Sequence, residues 1–189
     1  MNVLIAYFSQ TGNTAQVARA ICEEVSSQGH EVHLKELGEI TPDGLNDYDL
    51  VFLGSACHDA DLARPAKRIL EGIPPTPAFK LAGFATHATY TPDGGERRQA
   101  LYERWASGCV LSFHQASQEK QIDFLGYFGC QGAPSPPIEA FIHSTIVTDE
   151  AEWETYVEEV RQHPNEEDLQ KAREFARQVL TKSQRRFEE

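Results

Sequence analysis

The hydroxyl-rich stretch Ser9-Gln10-Thr11-Gly12-Asn13-Thr14 stands between two segments with different apolar periodicity. Before it, residues 3–8 form an unbroken apolar run, which is typical of a strand buried on both faces of a parallel sheet. After it, apolar side chains recur at helical spacing, at Val17, Ala18, Ile21, Cys22 and Val25. The sequence therefore predicts a strand that turns directly into a helix beginning at about Asn13.

This turn has the composition of an anion-binding loop. The first amide groups of a helix have no intrahelical partners, and the helix dipole favours negative charge at that end. Gly12 permits backbone angles that other residues avoid, so a ligand can approach the main chain. The hydroxyl groups of Ser9, Thr11 and Thr14 can donate to further anion oxygens. We therefore predict a phosphate-binding loop over Ser9, Gln10, Thr11, Gly12, Asn13 and Thr14.

The residues that this loop lacks narrow the class of phosphate ligand. The pattern GxxxxGK[ST] requires a lysine and two glycines, and the dinucleotide pattern GxGxxG requires three glycines. Gly12 is the one glycine of the stretch, and the stretch has no lysine. A cradle of amides and hydroxyl groups without lysine suits one terminal phosphate monoester. The alternative is a turn that only caps the helix, since serine, threonine and glycine are ordinary N-cap residues.

At this loop, and at the spacing of Thr14, Ala18 and Ile21 in the helix that follows, the sequence resembles the flavodoxins. The resemblance implies that FMN is the cofactor and that its phosphate group lies in the loop. It also implies an α/β, flavodoxin-like three-layer fold, with a five-stranded parallel sheet of order 2-1-3-4-5 and an extra C-terminal segment. We expect residues 1–189 to form a single flavodoxin-like domain.

Four further segments fit the remaining strands of that sheet. Residues 31–35 alternate polar and apolar, which suits the half-exposed edge position of a second strand. Residues 50–54, 81–85 and 121–128 are apolar runs that fit the third, fourth and fifth strands.

Two more loops are expected beside the phosphate loop, because ligands of open α/β sheets bind outside the carboxyl ends of the strands. The loop after the third strand contributes Ser55, Ala56, Cys57 and His58, followed by the carboxylates of Asp59 and Asp61. Many flavodoxins stack an aromatic residue on the flavin from this loop, whereas this chain has Cys57 and His58. The two carboxylates are expected near the flavin.

The loop after the fourth strand contributes Thr86, His87, Ala88 and Tyr90 to the predicted site. The resemblance implies that this loop holds the far side of the flavin ring, with Tyr90 as its aromatic residue. The alternatives are a surface tyrosine in a polar turn and a hydrogen-bonded histidine at the end of a strand.

The later part of the chain predicts more helices and one long loop. Leu101, Tyr102 and Trp105 have core-facing spacing in a helix that begins at about Glu96, and residues 110–120 favour a further helix. Residues 129–137 form a Gly/Pro-rich loop, in which Cys130 is a buried inert thiol or an exposed one.

Two amphipathic helices end the chain. Asn165 caps the second, with Asp168 three residues on, and Lys182, Arg185 and Arg186 suit its C-terminal end.

Composition limits the functional class. A length of 189 residues suits one domain with a sizeable core, no apolar run approaches a membrane span, and the first strand leaves no room for a signal peptide. The four cysteines lack metal-ligand and C-x-x-C spacing, so the sequence predicts no metal site and a reduced, cytoplasmic protein. A net charge of −12 argues against nucleic acid and membrane surfaces as partners. It suits a basic protein partner or serves solubility alone.

These observations favour an FMN-binding redox protein, either an electron carrier or a flavin-dependent oxidoreductase. Its partner would be a redox partner protein or NAD(P)H. No residue identifies itself as a general base, and electron transfer through a flavin does not require one. The alternative is a non-catalytic binding or regulatory module that retains the fold. The oligomeric state stays open, a homo-oligomer included.

Overall fold

The computed structural model describes residues 1–185, and the side chains of residues 1–184. The strands are β1 (Asn2–Tyr7), β2 (Glu31–Glu36), β3 (Leu50–His58), β4 (Asp61–Leu62), β5 (Lys80–His87) and β6 (Asp123–Gln131). The α-helices are α1 (Asn13–Ser27), α2 (Arg64–Gly72), α3 (Glu96–Trp105), α4 (Ser107–Lys120), α5 (Pro136–Thr145), α6 (Glu150–Val160) and α7 (Glu166–Arg185).

Five strands form a parallel sheet in the order β2-β1-β3-β5-β6. The two-residue strand β4 pairs antiparallel with the end of β3 and lies off this path. Without β4 the strands have the order 2-1-3-4-5, so the predicted sheet and strand order are confirmed. Strand β2 lies at the edge of the sheet, as predicted, and none of its residues is buried. Its exposure does not follow the predicted alternation, because Leu34 is exposed while His33 and Lys35 are half-buried.

Helices cover both faces of the sheet, because successive side chains of a strand point to opposite faces. Ile5 and Phe52 pack on one face with α1 and α7, and the rings of Phe52 and Phe175 meet edge to face at 6.1 Å. Leu4 and Val51 pack on the other face with α2 and α4. The unbroken apolar runs of β1 and β3 thus contribute side chains to the cores on both faces of the sheet. The fold therefore has three layers, namely the sheet and the helices on each of its faces.

The structure confirms the later helices and adjusts their bounds. Residues 107–120 are helical, and β6 continues to Gln131, so Cys130 lies within a strand and is buried. At the start of α7 the amide of Asn165 donates to Asp168 and the amide of Asp168 donates to Asn165, which is the predicted cap. Lys182 donates to the carbonyl oxygen of Leu125, while the side chain of Arg185 and all of Arg186 lie outside the described residues.

A third cluster lies beyond the carboxyl ends of the strands, where α5 and α6 pack together. Its buried residues are Tyr90, Ile142, Val147, Tyr156 and Val160. Helix α3 packs against α4 and beside this cluster, and none of its residues is buried. The predicted core-facing residues of α3, Leu101, Tyr102 and Trp105, are half-buried, and Leu101 packs against this third cluster and not against the clusters on the two faces of the sheet. Within residues 1–185, no helix combines the length and the apolar composition that crossing a bilayer requires.

Candidate functional site

A cavity of about 610 Å³ opens at the carboxyl end of the sheet. The loops that follow β1, β3, β5 and β6 form its wall, together with apolar side chains of α5. Strand order reverses between β1 and β3, which is where open α/β sheets bind ligands. The three loops expected at this site therefore do meet, and a fourth joins them.

The loop after β1 presents the beginning of α1 to the cavity. Gly12 has φ of +90°, in the left-handed region that favours glycine, and its amide donates to Ser9 Oγ at 3.1 Å. No side chain of residues 1–184 caps α1 at this position. Gln10, Thr11 and Asn13 line the cavity. The first turn of α1 thus offers amide groups and the Thr11 hydroxyl to an anion.

Thr14 and Ser55 are buried and hold the loops from behind. Thr14 Oγ1 lies 2.8 Å from Thr86 Oγ1, which joins the loops after β1 and β5. Ser55 Oγ donates to the carbonyl oxygen of Ala56 and accepts from the amide of Ala63. Their hydroxyl groups are thus engaged within the protein.

The fourth loop is the Gly/Pro-rich segment after β6, which is held against the phosphate loop. Asn13 Nδ2 donates to the carbonyl oxygen of Ala133 at 2.8 Å and to Thr11 Oγ1 at 3.0 Å. Gly132 packs so closely that a Cβ atom on it would lie 2.8 Å from Asn13 Nδ2. A glycine at this position therefore permits the contact that closes this side of the cavity.

The loop after β3 forms the adjoining wall with Ala56, Cys57, His58, Asp59 and Ala60. Asp59 and Ala60 both have positive φ values, 50° and 66°, in the tight turn that leads into β4. The side chain of Asp61 points elsewhere, because its carboxylate accepts from Lys67, Ser112 and its neighbour's amide.

The loop after β5 contributes Thr86, His87, Ala88, Thr89 and Tyr90. His87 is buried, its Nδ1 lies 3.2 Å from the carbonyl oxygen of Thr89, which can only accept a hydrogen bond, and its ring meets Tyr102 edge to face at 5.4 Å. Burial lowers the pKa of His87 to about 4, and the bond to Thr89 offsets only part of this. His87 is therefore neutral at pH 7.

The hydroxyl oxygen of Thr89 is a buried polar atom of the site that lacks a hydrogen-bond partner within residues 1–184. Thr89 is 8% exposed, it lines the cavity, and its Oγ1 is buried without a hydrogen-bond partner among the described residues. A buried hydroxyl group without a partner is costly, so a polar atom of a ligand would supply what is missing. The sequence analysis did not select Thr89.

Tyr90 is buried in the third cluster and is not a surface residue of a polar turn. Its ring meets Tyr156 edge to face at 5.2 Å, and the guanidinium of Arg98 lies 4.5 Å from its ring centre. Its hydroxyl donates to Glu152 at 3.3 Å. Burial and the neighbouring Glu152 raise the pKa of Tyr90 to about 12. Tyr90 thus lines the cavity while its hydroxyl is engaged by Glu152 of α6.

Aromatic and apolar side chains from distant segments complete the wall, and sequence reasoning missed them. The rings of Trp105 and Phe141 meet edge to face at 5.8 Å, and Arg104 lies 5.0 Å from the centre of the Trp105 ring. Ile138 and Phe141 are 48% and 43% exposed at the cavity. The apolar segment after Pro137 was the one feature of the sequence that could have indicated these side chains. These side chains stand where a planar apolar ligand could pack.

Of the predicted site residues, ten line the cavity, namely Gln10, Thr11, Asn13, Ala56, Cys57, His58, Thr86, His87, Ala88 and Tyr90. Ser9, Gly12, Thr14 and Ser55 support the wall without lining it. Cys130 also lies away from the cavity, and burial raises the pKa of its thiol, which agrees with the buried alternative.

A parallel sheet of this order, with an uncapped helix start at its reversal point, defines a flavodoxin-like α/β protein. The chain belongs to the flavodoxin domain family, whose model matches residues 4–177. It is 26% identical over 190 residues to the flavodoxin-like domain-containing protein BilS of Clostridioides difficile, covering 97% of this chain and 98% of BilS. It is 43% identical over 54 residues to a flavodoxin of Nitratidesulfovibrio vulgaris, covering 28% of this chain and 36% of that protein. Among solved structures, oxidised flavodoxin 2 from Bacillus cereus superposes with a TM-score of 0.65 at 21% identity, covering 96% of this chain and 99% of that one.

Proposed function

We propose that this protein binds FMN in the cavity and transfers electrons through it, as an electron carrier or as a flavin-dependent oxidoreductase. The observation that carries the proposal is the pairing of two surfaces in one cavity. The uncapped start of α1 suits a phosphate group, and the apolar and aromatic wall suits a flat ring system. FMN has both of these parts, and membership of the flavodoxin domain family supports the choice.

In this proposal each loop has its own task. The amides at the start of α1 and the hydroxyl groups of Ser9 and Thr11 hold the phosphate. The loops after β3 and β5, together with Trp105 and Phe141, enclose the ring and exclude water from it. The hydroxyl group of Thr89 donates a hydrogen bond to a polar atom of the ligand. FMN supplies the electron-accepting ring, and the protein positions it and sets the surrounding charge.

The proposal includes the source of the electrons and the compartment. NAD(P)H or a redox partner protein would reduce the bound flavin. We place the protein in the cytoplasm, and its four free thiols support this placement. His87 is not a proton donor for the reaction at pH 7, because it is neutral and its Nδ1–H is directed at Thr89.

Titration of the apo-protein with FMN and with riboflavin tests the proposal. We expect FMN to bind about a hundredfold more tightly than riboflavin, because riboflavin lacks the phosphate that the α1 amides would hold. Quenching of flavin fluorescence measures both affinities. Equal affinities would show that the loop is not a phosphate site, and binding of neither compound would reject the proposal.

Asp59 is expected to lower the potential of the last one-electron reduction step, because that step adds negative charge to the cavity. Unit charges about 10 Å apart interact by about 1–2 kcal/mol at an effective dielectric of 20, and solvent exposure reduces this. We expect Asp59→Asn to raise this potential by about 40 mV. Photoreduction titration against a reference dye measures the change.

Asp61→Asn is the matched comparison, because Asp59 lines the cavity and Asp61 does not. Burial opposes ionisation of Asp61, but hydrogen bonds from Lys67, Ser112 and the Leu62 amide lower its pKa below the usual range. Lys67 Nζ lies 2.5 Å from Asp61, so its positive charge offsets the carboxylate. We expect Asp61→Asn, and Glu158→Gln at an exposed position of α6 that does not line the cavity, to change the potential less than Asp59→Asn. Equal shifts from all three variants would contradict the placement of Asp59 beside the flavin.

A further inference from the structure

Two of the four free cysteines meet at the wall of the cavity although 51 residues separate them in the chain. Cys57 lies near the end of β3, and Cys109 lies in the first turn of α4. Both cysteines pack in the same apolar cluster, and the Cys57 thiol reaches the start of α4 through a 3.4 Å contact with the carbonyl oxygen of Trp105. The sheet separates this pair from the other two cysteines, because Cys22 and Cys130 pack on its opposite face.

The backbone around the pair is tightly packed, so the contact is built into the fold. Gly108 lies so close to the turn before β4 that a Cβ atom on it would be 2.3 Å from the carbonyl oxygen of Ala60. One turn further along α4, Ser112 Oγ donates to Asp61 Oδ1 at 2.6 Å. Helix α4 is thus held against the β3–β4 turn on both sides of Cys109.

The two thiols differ in access. Cys57 is half-buried and lines the cavity, and its Sγ donates to the carbonyl oxygen of Trp105 at 3.4 Å. Cys109 is fully buried, and both its contact with Cys57 and its burial raise the pKa of its thiol. A reagent in the cavity therefore reaches the Cys57 thiol first. The Cys109 thiol is inaccessible to it and stays protonated.

We propose that Cys57 and Cys109 are a modification site, at which a low-molecular-weight disulfide oxidises the pair to a reversible intramolecular disulfide. Cys57 attacks one sulfur of the reagent, its proton passes to the departing thiolate, and one thiol leaves. Cys109 then attacks the Cys57 sulfur, an S–S bond forms within the chain, and the second thiol leaves with the Cys109 proton. The two protein thiols are oxidised, and one reagent disulfide is reduced to two thiols. The new bond ties the first turn of α4 to the cavity wall.

The site is testable with the whole chain, oxidised glutathione and trypsin, because each cysteine falls in its own tryptic peptide. Cys57 lies in residues 36–67, since the Arg64–Pro65 bond resists trypsin, and Cys109 lies in residues 105–120. After oxidation and blocking of free thiols, we expect two of the four thiols to be lost. Peptides 36–67 and 105–120 should appear as one cross-linked species that dithiothreitol separates.

Single serine variants identify the steps. Cys109→Ser should stop after the first step and retain one glutathione on Cys57, and Cys57→Ser should keep Cys109 unmodified. Cys22→Ser and Cys130→Ser are the matched controls and should form the cross-link as the wild type does. The proposal is overturned if the wild-type chain retains four free thiols, carries only glutathione adducts, or cross-links other cysteines or two chains. The readout is mass and thiol content, so failure here leaves the FMN titration unaffected.

Discussion

Replacing Ser9 with alanine and Thr11 with valine together is expected to weaken FMN binding by about 3 kcal/mol, roughly a hundredfold in Kd. Each change removes one hydroxyl group from the predicted phosphate loop, and hydrogen bonds to a charged phosphate contribute more than neutral ones. Thr14 is left in place because its hydroxyl is buried against Thr86, so its replacement would also disturb the packing. Fluorescence titration of the apo-protein measures the affinity.

Riboflavin and a distant double variant separate a phosphate contact from general damage. The loop variant should bind riboflavin as the wild type does, because riboflavin has no phosphate to lose. Ser27→Ala with Thr181→Val removes the same kinds of hydroxyl group from exposed positions far from the loop, at the other end of α1 and late in α7. This control should retain full FMN affinity. Equal losses for FMN and riboflavin in the loop variant would assign the effect to folding instead of phosphate binding.

Stability is expected to fall by about 3 kcal/mol between pH 7 and pH 4 because of His87 alone. Burial lowers the pKa of His87 in the folded chain to about 4, from 6.5 for an exposed histidine. Between these values the unfolded chain binds a proton that the folded chain does not. The stability that neutral His87 permits is therefore fully present above pH 6.5 and is lost as the pH falls through about 4.

Urea denaturation at several pH values from 7 to 4.5 measures this effect through its slope. His87→Gln should flatten the dependence of the unfolding free energy on pH by up to one proton, about 1.4 kcal/mol per pH unit. The exposed His114 on α4 provides the control, and His114→Gln should keep the wild-type slope. An unchanged slope in His87→Gln would mean that His87 takes up its proton in the folded chain as readily as in the unfolded one.

Much of the fold could be predicted because it depends on local patterns. The apolar run of residues 3–8 requires burial on both faces, and the helical spacing after Asn13 requires one apolar face. These patterns place β1, the turn and α1 without knowledge of the rest of the chain. Strand order at the reversal point then brings the loops after β3 and β5 beside the turn, which is why ten predicted residues do line the cavity.

The misplacement of Trp105 shows where local patterns stop. Its spacing with Leu101 predicts a residue on one helix face, but spacing alone does not tell what that face meets. In the structure α3 lies past the end of the sheet, so the ring stands at the cavity beside Phe141. The order of the elements along the chain did not indicate that α5 would supply Phe141, whose ring packs against Trp105.

The amino-acid sequence alone thus establishes the strand–turn–helix unit and its hydroxyl pattern, since both follow from residues close together in the chain. The order of the sheet was implied by the resemblance to the flavodoxins. Tertiary structure alone decides the contacts that join distant segments. Asn13 meets Ala133 across 120 positions, and Cys57 of β3 packs in one apolar cluster with Cys109 of α4. Such contacts depend on how whole helices pack against the sheet, and that packing is a property of the complete core instead of any single stretch.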